Sequence, residues 1–290
     1  MLIPLIFAGA VLAQSPATRP EFEVASIRPS TTCGTRSADG PSPGRLTMSC
    51  VSLRHLIRIA YGAFVDGPNL NPRMMDVEGG PSWLDSDQFD IVAKAADNAP
   101  VDRMIGPMLQ SLLEDRFHVQ VHMASHDVPI YALTVAKNGP KLPLMKEGSC
   151  VPIDLNNMEK RPEPGQRAPK YCGGGRTQTT GGTMVTDGFG VTMAELCGRM
   201  LTNFVDRPVI DRTGLTGRYD IHLEFVRDNL SAGPVRLNGA EVPGPPAASA
   251  DPSGLSIFTA VQQQLGLKLS PDKGPVDVIV VDHAEKPSEN

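Results

Sequence analysis

Residues 102–139, DRMIGPMLQSLLEDRFHVQVHMASHDVPIYALTVAKNG, decide the fold class. Apolar residues recur at Met104, Ile105, Met108, Leu109, Leu112 and Leu113, the spacing of a helix buried on one face. Asp102 stands where a helix cap belongs. Past Arg116 the period changes to two, with Phe117, Val119 and Val121 alternating with His118, Gln120 and His122. Ser125-His126-Asp127 reads as a turn, PIYALTVA as a returning strand, and Asn138-Gly139-Pro140 as its end. The predicted unit is a helix followed by a β-hairpin, which makes the chain α+β.

Working upstream, FEVASIRP alternates as a strand over 22–29, and the stretch from there to 48 is rich in turn residues. Ser52 is placed to cap a helix carrying Leu53, Leu56, Ile57 and Ala60, and Phe89–Ala93 reads as a strand. Downstream, 140–187 lacks periodicity, Thr192 is placed to cap a helix to about residue 204, and Tyr219–Phe225 alternates. A helix over 255–265 and a hairpin over 267–282, turning at Pro-Asp-Lys-Gly, complete the chain. The order helix, strand, helix, hairpin therefore occurs twice. VSLRHLIRIA echoes VTMAELCGRM, QFDIVAKA echoes RYDIHLEF, and MLQSLLEDRFHVQV echoes AVQQQLGLKL. The expectation is two similar halves, 20–139 and 188–285, with antiparallel or mixed sheets carrying helices on one face. Residues 140–187 would be an irregular, disulfide-pinned loop and 228–254 a disordered insert.

The 290 residues are 40% hydrophobic and 20% charged, which excludes fibrous and polytopic membrane classes. Twenty-eight glycines and 27 prolines imply short elements and many turns. A net charge of −5 without a basic block argues against a nucleic-acid partner. Residues 1–13, MLIPLIFAGAVLA, form an uncharged apolar stretch ending in small residues, the pattern of a signal peptide. The competing reading is a buried N-terminal strand. With the leader removed, no run is long enough to span a membrane, and the destination would be periplasmic or extracellular, where cysteines pair. Cys33 and Cys50 flank one loop-like segment, and Cys150 and Cys172 another. The expected disulfides are Cys33–Cys50 and Cys150–Cys172. Cys197, on a core-facing helical position, is expected to stay free.

No motif carries a recognisable chemistry. Gly40-Pro41-Ser42-Pro43-Gly44 spells a nucleophile elbow, but Pro43 lacks the N–H that an oxyanion hole needs. Ser270-Pro271-Asp272-Lys273 falls in a turn, not at a helix start. His118, His122 and His126 on a strand would be about 13 Å apart at each step of four, too far to share a zinc ion. Gly173-Gly174-Gly175-Arg176 lacks the strand–loop–helix setting of a phosphate cradle. No metal, cofactor or catalytic residue is therefore expected. The densest stretch runs from Asp206 to Asp220. Its candidate binding residues are Arg207, Asp211, Arg212, Arg218, Tyr219 and Asp220; the competing reading is that they build turns. An enzymatic alternative, a secreted hydrolase of envelope material, would draw acid–base groups from Asp211, Asp220, His222 or Glu224.

The chain resembles a soil-associated bacterial family of exported proteins, a domain of unknown function. The resemblance rests on FEVASIRPS at 22–30, LRHLIRIAYG at 53–62, FDIVAKA at 89–95 and LLEDRFHVQVHMASHDVPIYALTVAKNGPKL at 112–142. It continues through RPVIDRTGLTGRYDIHLEF at 207–225 and the C-terminal SIFTAVQQQLGLKL and GPVDVIVVDHAEKPSEN. The family supplies no catalytic residues or cofactor. Some relatives carry the domain behind an antirepressor-type membrane metalloprotease domain, which implies a sensing or interaction role outside the cytoplasm. This chain has no HExxH motif of its own. The helix-then-hairpin end also looks loosely like the interaction module of secretins and TonB-dependent receptors. The expected function is a non-enzymatic binding, sensing or protein-interaction module whose partner is an envelope protein or cell-wall component.

Overall fold

The computed structural model describes residues 19–30, 33, 41–62, 75–154, 156, 169–180, 182–226, 235–237, 240–242 and 254–287. The leader expected at 1–13 lies outside them. The first elements are β1 (Val24–Pro29), β2 (Arg45–Ser52), α1 (Leu53–Gly62), β3 (Asp76–Gly79), α2 (Trp83–Ser86) and β4 (Gln88–Lys94). They lead into α3 (Val101–Arg103), a π-turn at Met104–Met108, α4 (Leu109–Phe117) and β5 (Gln120–Val135). A similar order follows: β6 (Gly174–Thr180), β7 (Thr183–Val191) and α5 (Met193–Glu195), which runs on through a π-turn at Leu196–Met200. Next come β8 (Val209–Asp211), β9 (Tyr219–Val226), a short pair β10 (Val235–Leu237) and β11 (Ala240–Val242), α6 (Ile257–Leu265) and β12 (Leu267–His283). The fold class is α+β.

Several helix signals act as read. The Ser52 hydroxyl accepts the His55 N–H, and Thr192 with Glu195 forms a reciprocal capping box. Asp102 is not a cap. The helix starts after Pro100, and the orphan N–H of Val101 is taken by Asn156 Oδ1 at 2.8 Å. The single apolar stripe over 104–113 also hides a break, because Gly106 leaves helical dihedrals beside Pro107, which has no N–H to give.

Neither expected hairpin exists. Ser125–Asp127 does not turn, and β5 runs straight for 16 residues; Asp272–Gly274 likewise lies inside the 17-residue β12. The two strands pair antiparallel with each other from Leu267↔Val135 to His283↔Gln120. A tight turn at 125–127 would need positive φ, and among described non-glycine residues only Cys50 and His118 adopt it. β3 flanks β12 at 278–281 and β8 flanks β5 at 131–133, giving the order β3-β12-β5-β8. Between those flanks the ladder is two-stranded. Pro129 and Pro275 sit there, where a missing N–H costs no third strand its bond. Pro271 faces Tyr131 from β12, whose other edge β3 reaches only at 278–281.

The segment 140–187 is not irregular throughout. β6 and the start of β7 occupy 174–187, and the sheet order is β6-β7-β9. Its counterpart in the first half is β1-β4-β2, so each three-stranded sheet excludes the long strand. In the expected insert 228–254, β10 pairs antiparallel with β11; its remaining residues, apart from Gly254, lie outside the described ones.

The halves repeat down to single hydrogen bonds. β2 pairs with β4, and its register slips between Met48 and Val51; β7 pairs with β9 and slips between Gly188 and Val191. The bulged residues are Cys50, φ 53°, and Gly190, φ 52°. Each gives its N–H to an aspartate on the neighbouring strand, Asp90 or Asp220, at 2.9 Å. The helices preceding the long strands end alike, in left-handed caps at His118 and Gly266. Two cores result. One gathers residues from Ile27 to Val119 together with Ile279 and Val281; the other gathers Tyr131 and Leu133 with residues from Val191 to Leu269. Each long strand thus starts in its own core and ends in the other.

Candidate functional site

The repeat lets one half serve as a control for the other. A polar group present on both sheets serves the scaffold; a group present on one has another use. Asp187 on β7 stands opposite His222 on β9, and the same ladder position in the first half holds Thr47 opposite Val92. Two residues further along β9 is Glu224, where β4 has Lys94. The second sheet therefore carries a charged network that its twin lacks.

His222 Nδ1 lies 2.8 Å from Asp187 Oδ1 and its Nε2 lies 3.2 Å from Glu224 Oε1. Arg176 on β6 donates from Nε to Asp187 Oδ2 at 2.8 Å. The guanidinium of Arg176 and the ammonium of Lys170 both sit over the Phe189 ring, 5.7 and 5.1 Å from its centre. Beside the network a groove of about 470 Å³ opens between the 141–149 segment, β9 and the end of α6. Lys141, Ser149, Lys170 and Gln264 line it. The Ser149 hydroxyl is buried without a hydrogen-bond partner among the described residues.

The hydrogen bond to Asp187 holds the His222 imidazole above its ordinary pKa; burial opposes this and Glu224 adds to it. Burial pushes the Asp187 carboxyl up, but bonds from His222 and Arg176 outweigh it and leave the carboxyl below its usual range. When it is protonated, a histidine flanked by a carboxylate at each nitrogen has both N–H groups committed and no lone pair for general-base work. Its raised pKa adds stability below the unfolded value, and this is lost as pH rises through the folded value. The lowered Asp187 adds stability above its unfolded value, lost as pH falls through the folded one. The pair is complete between ordinary aspartate and ordinary histidine values, about 3.9 and 6.5. In an NMR titration the His222 ring is expected to titrate above its ordinary value, and Asp187→Asn to bring it down. An unchanged midpoint in Asp187→Asn would refute the coupling.

The six residues proposed from the dense stretch do not form one site. Arg207 stacks over Tyr131 at 5.3 Å and pairs with Asp206. Asp211 closes its own turn, accepting the N–H and hydroxyl of Thr213. Arg212 reaches the long ladder, binding Asp272 Oδ2 at 2.5 Å. Arg218 braces the bulge through the Gly190 carbonyl at 2.7 Å and Glu195 at 3.3 Å. Tyr219 is buried, its hydroxyl donating to the Thr216 carbonyl at 2.8 Å. Only Asp220 borders the groove, and its Oδ1 takes the Gly190 N–H. His222 and Glu224, read only as acid–base candidates, belong to the network. Asp187, Arg176, Lys170 and Ser149 were missed. The readable signal was the echo of QFDIVAKA in RYDIHLEF, where His and Glu replace Val and Lys.

Elsewhere, His122 pairs with Asp282 at 2.8 Å and His126 with Glu78 at 3.2 Å, while His118 ends α4. Both expected disulfides are present, Cys33–Cys50 and Cys150–Cys172, and Cys197 is buried and free. Burial raises the Cys197 thiol pKa well above its ordinary value, which keeps it unreactive. No helix among the described residues is long and apolar enough to cross a membrane.

The chain is thus an α+β protein with two disulfides and a charged groove on one sheet. A family model described as a protein of unknown function, DUF3738, matches residues 54–284, and the chain belongs to that family. No curated protein and no solved structure matches it.

Proposed function

We propose that this protein is an exported envelope module that binds a partner through the sheet face and groove of its second half. The carrying observation is the asymmetry between equivalent positions: Asp187 and His222 against Thr47 and Val92 on the same backbone. The described residues of the first half build the same ladder without such a network, so the shared backbone does not require it. Two disulfides fit an oxidising compartment, and the leader-like residues 1–13 support export to the periplasm or beyond. The kinship suggested with domains fused to membrane sensors supports a sensing or docking role. The hydrolase alternative has less support, because Asp211, Asp220 and His222 are each held by structural bonds.

A photo-crosslinking residue at Gln178, exposed on the same face, is expected to trap a discrete envelope adduct in cells. The same residue at Val92, half-exposed on the first sheet, should give none. Equal labelling from both positions would refute the proposal.

A further inference from the structure

The halves also differ along the outer edge of β4 and of β9. In the first half β1 covers that edge: Val24, Ser26 and Arg28 stand opposite Lys94, Val92 and Asp90. The Ser30 N–H then donates to the Gln88 carbonyl at 2.8 Å. In the second half the Met145 N–H donates to the Arg218 carbonyl at 2.9 Å, and the Asp220 N–H to the Pro143 carbonyl at 3.1 Å. Pro143–Met145 thus takes the place of Arg28–Ser30. At the other end the Gln264 side chain imitates a peptide unit. Its Oε1 accepts the Glu224 N–H at 2.9 Å and its Nε2 donates to the Glu224 carbonyl at 2.7 Å.

Opposite His222, where Ser26 would lie, no described segment stands. Connectivity explains the gap. The counterpart of β1 has to arrive from the end of β5, and two bonds hold that chain on the end of α6. Ala136 donates to the Gly266 carbonyl and Lys141 to the Leu265 carbonyl, at 2.9 and 2.8 Å. The chain reaches β9 only at Pro143, and the gap left behind is the groove.

We infer that this groove binds the C-terminal end of an extended partner polypeptide, paired antiparallel to β9 at His222. This rests on reading the second sheet as the binding face. The direction follows from β1, which runs antiparallel to β4. A peptide laid the same way points its C-terminus at Pro143, and the occupied position there forces the peptide to end. Its carboxylate then meets Lys141 and Lys170, which line the groove. Neither lysine has a carboxylate partner among the described residues: Lys141 donates to the Gln263 carbonyl and Lys170 sits over Phe189. The acids beside the groove are engaged, Asp220 by Gly190 and Asp187 by Arg176 and His222. Main-chain pairing supplies affinity and the chain end supplies selectivity, as in other strand-addition sites.

The test uses the oxidised full chain and the acetylated pentapeptide FEVAS, the sequence of residues 22–26, as free acid and as C-terminal amide. In heteronuclear NMR the acid is expected to bind saturably and to move the His222 main-chain and Gln264 side-chain amides. The amide should bind roughly tenfold more weakly, the ratio that one charge-assisted hydrogen bond supplies. Lys141→Ala with Lys170→Ala should erase the difference, and Lys→Arg at both positions should restore it. Equal binding of acid and amide, or no movement of the His222 amide at millimolar acid, would overturn the inference. A crosslink from Gln178 without peptide binding would overturn this inference alone and leave the binding face standing.

Discussion

Gly266→Ala is expected to destabilise the protein by about 3 kcal/mol, a melting shift of roughly 10 °C in a chain of this size. Gly266 ends α6 at φ 66°, and a Cβ there would stand 2.2 Å from the Gly139 carbonyl oxygen and 2.8 Å from the Lys141 nitrogen. Both are main-chain atoms and cannot rotate away. They belong to the turn that returns the chain from β5, so the overlap strikes the junction that shapes the groove. The equivalent cap in the first half makes the control. His118 holds φ 49° with a full side chain, so His118→Gly is expected to be stabilising by about 0.5–1 kcal/mol. Thermal melting of the oxidised variants measures both. A Gly266→Ala protein that melts with the parent would show that the turn and cap are not packed as described.

Removing the Cys150–Cys172 bridge by a double Ser substitution is expected to cost about 3 kcal/mol on the chain-entropy estimate for a loop of this length. The half-cystines are 22 residues apart in sequence. Ser149 precedes Cys150, Lys170 lies two residues before Cys172, and both line the groove. The Cys150 sulfur also packs 2.9 Å from where a Cβ on Gly190 would stand. Cys50 occupies the equivalent bulge in the first half, so both bridges clamp the same irregularity. Urea unfolding should therefore show lower stability, and the Val151 and residue-172 amides, which donate to the Lys170 and Val151 carbonyls, should lose hydrogen-exchange protection. Unchanged protection there would refute the bridge's role in holding the groove wall.

Much of the fold was readable where burial is one-sided. The stripes of α1, α4 and α6 and the alternation of β4 and β9 each face a core, and their periods reveal them. β6 was not readable because six of its seven residues are exposed, which leaves GGRTQTT no apolar pattern. β5 and β12 were read as strand matter but folded back on the wrong partner. Asp127 and the Pro-Asp-Lys-Gly sequence are good turn formers, and local rules cannot see a ladder that joins residues more than 130 positions apart. The same blindness scattered the site. Asp206–Asp220 is dense because turns, a bulge and a buried tyrosine need specific residues there. Asp187, which meets His222, and Arg176, which meets Asp187, lie in a segment without apolar periodicity.

The exchange of strand ends between the cores bears on how the protein is made. Ile279 and Val281 complete the core of the first half, yet they lie far downstream of its other members, which run from Ile27 to Val119. That core cannot close before β12 has reached it. Folding waits for a contact of very long sequence separation, a slow class of search. The unpaired β5 edge is exposed meanwhile, a defined stretch open to mispairing until β12 arrives. A chain broken off before Ile279 would leave the first half incomplete, so quality control by proteolysis can read the whole molecule from its far end.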